Sequence, residues 1–569
     1  MSEEDLAPAT ATMLVEKLLR LERPQITEQM APLLLSENSI DIFLSHLLSP
    51  SDHEQSSIRN SYWVAKLLSE DVVGAKILED AYNKEFISTL LGCFRQGVKC
   101  WMPHICTLLS AMLRGKADQV TQVFTSSTSA CLVHFTALCE FSDVDLVSGL
   151  IQDIVCLPAP LPGHAAISCS SELQQLLNQR LAECDLWYFF SSMIVNNDLP
   201  LARSIAAADC FICSLKRTAV SSHSSPLATS LAESAERIID QLIAFTHEAL
   251  VRSRETPVDS STVTRFGMCT NVLLALLERT MPATIEAPSS NAYQSFGGTV
   301  MMCVPNMLHA AFPIALVKLV ELRTHVFDLL RMTMATDENP ENTAVKHTGY
   351  VTASPFTLAR LNLVRILHIM LAPIVEVEVP ANMIEEVPDS LWRLFGSWFC
   401  AYPHSNLYHH VYVQIFSHVM SSGCEKAVKG IIKRAKKKRK KADIGFLSRI
   451  MRHYGDGDAN SSVRGHILHC LNIVRLRAQL ATPTSALNSY LRDLQEWREF
   501  QPTLEEETIR TVAQQKYAVP QKYGEIPKSD FGIHLGSPYA VSLGFDVHVK
   551  NKGVVDEDQS NQMEEANKS

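Results

Sequence analysis

The 569-residue chain has no uninterrupted apolar run of the roughly 18 residues that a membrane-spanning helix needs. Text alternating between apolar and polar residues, the mark of a half-buried strand, is almost absent. The opening MSEEDLAPAT is acidic and holds no apolar segment, so no secretory signal is expected. No G-x-x-x-x-G-K-[ST], G-x-G-x-x-G, H-E-x-x-H or G-x-S-x-G stretch occurs, which removes the common phosphate-cradling, dinucleotide, zinc-protease and serine-hydrolase sites. The fifteen cysteines are an odd number scattered through helical text, unlike the dense, even set of a disulfide framework. A reducing compartment is therefore expected, the cytoplasm first and the nucleus as the alternative.

What is there is helix text. Hydrophobic residues make up 46% and charged residues 20%, at a formal net charge of −10, which suits a soluble protein with a large core. ATMLVEKLLRLE, SIDIFLSHLLS, HICTLLSAML, AERIIDQLIAFTHEAL and FPIALVKLVELRTHVFDLLRMT repeat apolar residues every three or four positions. Proline and glycine fall mostly between such segments. Short helices with one wide Leu-rich face cannot bury that face alone, but stacked pairwise in chain order they enclose a continuous core. The expected fold is all-α, an armadillo/HEAT-like helical solenoid. Its repeats are degenerate, because no strict period near the ~40–47 residues of such repeats is visible.

Three regions are expected. Residues 1–237 read as N-terminal helical repeats, and 238–505 as further repeats interrupted by polar insertions at 282–298 and 336–356. Residues 506–569 read as an irregular, acidic tail expected to be disordered.

Motifs that suggest chemistry have plainer readings. Cys210 and Cys213 form a C-x-x-C, but inside helical AAADCFICSLKR and with no second ligand pair, so two small buried residues are expected. Asp456, Asp458 and Asn460 imitate the start of a calcium loop, yet the required glycine and glutamate positions hold Ser461 and Ile467. His404, His409, His410 and His418 crowd together without the i, i+4 spacing of helical metal ligands, and read as partly buried or interface histidines. No cofactor and no metal is expected. Lys433, Arg434, Lys436, Lys437, Lys438, Arg439, Lys440 and Lys441 form one basic run. Against a net charge of −10 this is a weak nucleic-acid footprint, so no nucleic-acid partner is expected. The run reads as the exposed end of a helix plus its linker, with use as a nuclear-import signal as the alternative.

The most informative stretch is FTLARLNLVRILHIML at 356–371. Asn362, Arg365 and His368, spaced by three, form a polar stripe opposite a broad apolar arc, and Leu358, Leu361 and Ile369 flank it. Such a stripe either grips a partner or ties neighbouring repeats together as a structural ladder.

ARLNLVRIL at 359–367 resembles the TRLNVIRLI signature of the SAPS-domain proteins, regulatory subunits of the type 2A-like protein phosphatase 6. Other similarities follow in the family's order: IIDQLIAFTHE at 238–248, LLALLERTMP at 273–282, HSNLYHHVYVQIF at 404–416, IGFLSRIMRH at 444–453 and LRDLQEWREF at 491–500. No W-K-F-D opening is present, and Phe446 and Ser448 depart from the family's pattern. The resemblance implies a non-catalytic scaffold that binds a phosphatase catalytic subunit, directs it to substrates, and can recruit an ankyrin-repeat subunit. Through the stripe and the matching positions, Arg360, Asn362, Arg365, His368, Asn406, His409, Arg449 and Trp497 become the candidate partner interface. An armadillo-like adaptor in trafficking or nuclear transport is the alternative.

Overall fold

The computed structural model describes residues 11–27, 29–36, 39–48, 55–70, 74, 76–77, 84–95, 101–115, 117–155, 169–219, 225–253, 259–281, 306–332, 345–346, 351–352, 356–372, 383–432, 445–456 and 463–518. Among the described residues the regular structure is helical apart from one short ladder, in which β1 (Val345–Lys346) pairs antiparallel with β2 (Val351–Thr352) inside the second polar insertion. The chain divides into two compact units. One comprises Met1–Thr284 with Met302–Lys318, the other Ile285–Met301 with Leu319–Ser569.

The first unit opens with α1 (Ala11–Arg20), α2 (Ala31–Ser36), α3 (Ser39–Leu48) and α4 (Gln55–Glu70). Next come α5 (Lys84–Arg95), α6 (Met102–Gly115), α7 (Ala117–Thr125), α8 (Thr128–Cys139) and α9 (Asp145–Val155). It continues with α10 (Ser171–Glu183), α11 (Leu186–Val195), α12 (Leu201–Thr218), α13 (Ser225–Arg252) and α14 (Ser260–Thr280). Helices α4, α6, α9, α12 and α14 pack in succession, and α7, α10 and α13 form a second succession beside them. Local chemistry sets the ends: Ser127, Ser170 and Asp259 each accept a backbone N–H at the start of α8, α10 and α14. Between α11 and α12 the turn is held from outside. The Arg265 guanidinium, 3% exposed, donates to the carbonyls of Ile194 (3.1 Å) and Leu199 (2.5 Å) and to the Ser204 hydroxyl. It thereby satisfies carbonyl groups that a buried helix end would otherwise leave orphaned.

Helix α15 (Ala311–Glu321) runs across the division at Lys318. The second unit then holds α16 (Arg323–Met332), α17 (Leu358–Leu371), α18 (Met383–Glu386), α19 (Asp389–Ala401) and α20 (Asn406–Ser422). It continues with α21 (Glu425–Ile432), α22 (Phe446–Asp456), α23 (Val463–Leu480), α24 (Ala486–Asp493) and α25 (Gln495–Ala518). Again there are two successions: α16, α17, α20, α23 and α25 pack in turn, as do α19, α21 and α24. Gly423 ends α20 with φ +77°, a left-handed conformation that glycine adopts without the usual Cβ penalty. Gly430 lets α21 lie against α19, since a Cβ there would come within 2.8 Å of the Trp392 indole. Pro502 sits inside α25 and removes one N–H from its ladder.

Two sequence-based boundaries do not coincide with the structure. Helix α13 runs unbroken through 237/238, because its buried stripe continues from Leu231 and Ala235 to Ile239 and Leu242. Helix α25 extends to Ala518, past the expected start of the irregular tail at 506, because Leu504 and Thr508 are fully buried. The basic run 433–441, the first polar insertion and the tail beyond 518 lie outside the described residues.

Candidate interaction surface

Helix α17 starts where the Thr357 hydroxyl accepts the Arg360 backbone N–H at 3.3 Å. That cap turns Arg360 inward, and its side chain is only 1% exposed. The guanidinium donates to the Tyr402 hydroxyl at 3.0 Å and lies 5.3 Å and 5.8 Å from the Trp398 and Phe356 ring centres. Phe356 in turn packs on Tyr402 and Tyr408, at 5.1 Å and 4.5 Å. Tyr408 donates its hydroxyl to the Phe395 carbonyl at 2.7 Å, and burial pushes its phenol pKa well above the ordinary value. The result is an aromatic box around a cation that joins α17, α19 and α20.

The stripe itself is divided. Asn362 is 1% exposed, while Arg365 and His368 are half-buried. The His368 imidazole lies parallel to that of His418 on α20, with ring centres 5.2 Å apart and planes 12° apart. Burial, followed by the neighbouring His418, His410 and Arg365, lowers its pKa to about 3, so it is neutral at pH 7. His409 is fully buried and donates Nε2–H to the Phe399 carbonyl at 3.0 Å in its neutral form. Burial lowers its pKa to about 4, with the carbonyl bond opposing the shift. Asn406 is exposed at the first position of α20, beside Leu407 at 71% exposure. Arg449 is half-buried on α22 and holds down a Cys400 thiol that burial pushes up to about 11. Trp497 is 6% exposed, one residue beyond Glu496, which accepts from Ser448 (2.7 Å) and Arg452 (2.6 Å) and so ties α22 to α25.

These positions correct the candidate interface. Arg360, Asn362, His409 and Trp497 are packed inside the second unit, because the helix succession covers the side of α17 that a wheel drawn for an isolated helix leaves open. What is exposed or half-exposed is Asn406, Arg365, His368 and Arg449. Of the aromatic partners of Arg360 only Phe356 is local; Trp398 and Tyr402 carried no sequence signal, since Tyr402 lies 42 residues away along the chain. His466 and His469 of α23 also adjoin the site, and their link to α20 is set by tertiary packing alone.

The C-x-x-C lies on a packed helix, and the calcium-loop imitation at 456–461 lies outside the described residues apart from Asp456. Cys210 is buried on α12 with its sulfur 3.5 Å from the Ser148 hydroxyl, and burial pushes its thiol up to about 11. No disulfide joins the described cysteines. Among the described residues no three His, Cys, Asp or Glu side chains are placed to hold a metal ion, and no helix is long and apolar enough to cross a membrane. Fold and site together define a helical protein whose α17, α20 and α23 carry a cluster of histidine and arginine side chains. No protein-family model matches the chain, and no curated protein does.

Proposed function

We propose that this chain is a non-catalytic regulatory scaffold that binds a type 2A-like serine/threonine phosphatase catalytic subunit and directs it to substrates. Its helix successions are read as degenerate armadillo/HEAT-like repeats offering a long contact surface. One observation carries the reading. The SAPS-like stretches occur in the family's order, and each falls on a helix: two on α13 and α14, then α17, α20, α22 and the α24–α25 pair. Short Leu-rich matches arise easily one at a time, but a set that keeps the family's order and falls on a helix each time is harder to obtain by coincidence. An ankyrin-repeat protein is the second partner in this reading, and the cytoplasm is the compartment, with the basic run as the route to the nucleus.

The test is affinity purification of the tagged chain from its own cells at moderate salt. A phosphatase catalytic subunit should co-purify. Its consistent absence sinks the proposal, and coat components or transport receptors in its place would support the adaptor alternative.

A further inference from the structure

Helices α17, α20 and α23 contain not one aspartate or glutamate. Their 14, 17 and 18 residues carry five arginines (Arg360, Arg365, Arg464, Arg475, Arg477) and six histidines (His368, His409, His410, His418, His466, His469). The chain as a whole is rich in acid, with 61 Asp and Glu against 51 Lys and Arg. Burial alone does not explain the bias, because it disfavours arginine as strongly as it does carboxylates.

The three helices pack side by side, α17 on α20 and α20 on α23; Arg360, His409 and Arg475 are buried, and the other eight basic side chains are exposed or half-exposed. His410 is exposed on α20, with Arg365, His368, His418, His466 and His469 half-exposed around it. His410 acts electrostatically on His368 of α17 and on His466 and His469 of α23, which places the imidazoles of all three helices within reach of one another. Among the described residues, the charged groups acting on His368, His466 and His469 are other imidazoles and Arg365, and none is a carboxylate. Asn362 Nδ2, His368 Nε2 and His418 Nδ1 are buried nitrogens with no hydrogen-bond partner among the described residues. A metal does not fit, because the His368 and His418 rings lie parallel and their nitrogens do not converge.

We propose that this face, centred on His410, docks an acidic peptide segment of a protein partner. Such a segment supplies the carboxylates that the three helices lack, against a preformed set of guanidinium and imidazole donors. The proposal stands on this charge pattern and does not require the partner to be a phosphatase.

The test is fluorescence anisotropy on the full chain with a fluorescein-labelled Glu-Ser repeat peptide, a Lys-Ser repeat as control, and two salt concentrations. The Glu-Ser peptide should bind, and bind more weakly at high salt. Combining His410→Glu with Arg365→Glu should weaken it by about tenfold or more, with helicity by circular dichroism unchanged. His410→Lys, a fixed cation at an exposed position, should tighten binding, an outcome that misfolding cannot produce. Replacing residues 436–441 with alanine checks the chain's other cationic source and should leave the His410 dependence intact. The proposal is overturned if only the 436–441 variant loses binding, if both peptides bind alike, or if the Glu-Ser peptide does not bind. Tighter binding after removal of VVDEDQSNQMEEANKS (554–569) would assign the face to the chain's own acidic stretch and would also overturn it.

Discussion

Arg360 and Arg365 lie five residues apart on one helix, and replacing each should have opposite consequences. Arg360 is sealed in the aromatic box and donates to Tyr402, whereas Arg365 is half-exposed. Arg360→Ala removes a hydrogen bond from a charged donor, worth about 1.5–3 kcal/mol. It also removes a desolvated cation–π contact of about 0.5–2 kcal/mol and opens a cavity where the stem packed. A net loss of about 2–4 kcal/mol is expected, at the high end for single substitutions. Arg360→Met keeps most of the stem volume and should cost about half as much. The chain has two units, so one global unfolding transition is a poor readout. Hydrogen exchange of the peptides covering α17 and α19 reports the local opening energy. A loss of 2 kcal/mol accelerates it about 30-fold where opening limits exchange. Arg365→Glu should change exchange by a factor of about two or less, equivalent to under 0.5 kcal/mol. If Arg360→Ala leaves exchange untouched while Arg365→Glu accelerates it, the burial argument is wrong and the wheel drawn from the sequence was the better guide.

Arg265→Ala should leave the Ile194 and Leu199 carbonyls without their donor and destabilise the α11–α12 region by about 3 kcal/mol, seen as faster exchange across residues 186–218. Gly430→Ala should drive a Cβ into Trp392 and Asp389 and lower stability by about 1–3 kcal/mol, detected as a shift in the urea midpoint of the second unit. Acid should destabilise the second unit through its neutral histidines. His409 and His466 are held near pKa 4 and His368 near 3, so in unfolding each takes up a proton at any pH between those values and about 6.5. Their contribution is therefore complete above pH 6.5 and is lost as pH falls towards 4, at up to about 1.4 kcal/mol per pH unit for the fully buried His409. Melting temperatures at pH 7, 6, 5 and 4 measure the slope, which His409→Gln should flatten. A slope that this variant leaves unchanged would assign the acid sensitivity to other groups.

Helix class was legible in the sequence because the 3.6-residue period of Leu, Ile and Val survives in nearly every segment. The stripe at 362, 365 and 368 was legible for the same reason, but its burial was not, since a helical wheel shows which residues share a face and not what covers that face. Arg360 shows the limit most clearly: its position on α17 and its neighbour Phe356 follow from the sequence, while Trp398 and Tyr402 come from α19 and the turn after it. The run of α25 to Ala518 was missed because EEETIRTVAQQ reads as polar text, and only Thr508 meeting Asn472 of α23 shows that one side of it is buried. The helical context of the C-x-x-C was legible, but its unequal burial was not: Cys210 is buried and Cys213 is half-exposed.

Among the described residues, the helix contacts within each unit join helices mostly one to three places apart along the chain. The contacts that close the core are therefore between segments that leave the ribosome close together in time. Low contact order of this kind favours fast assembly, and lets each pair find its neighbours before later text is made. Helix α25 is the exception in character, since Pro502 interrupts its hydrogen-bond ladder and its text is mostly polar. It has to be held by the surfaces of α22, α23 and α24 that await it, and so the second unit reaches full order only when that docking is complete.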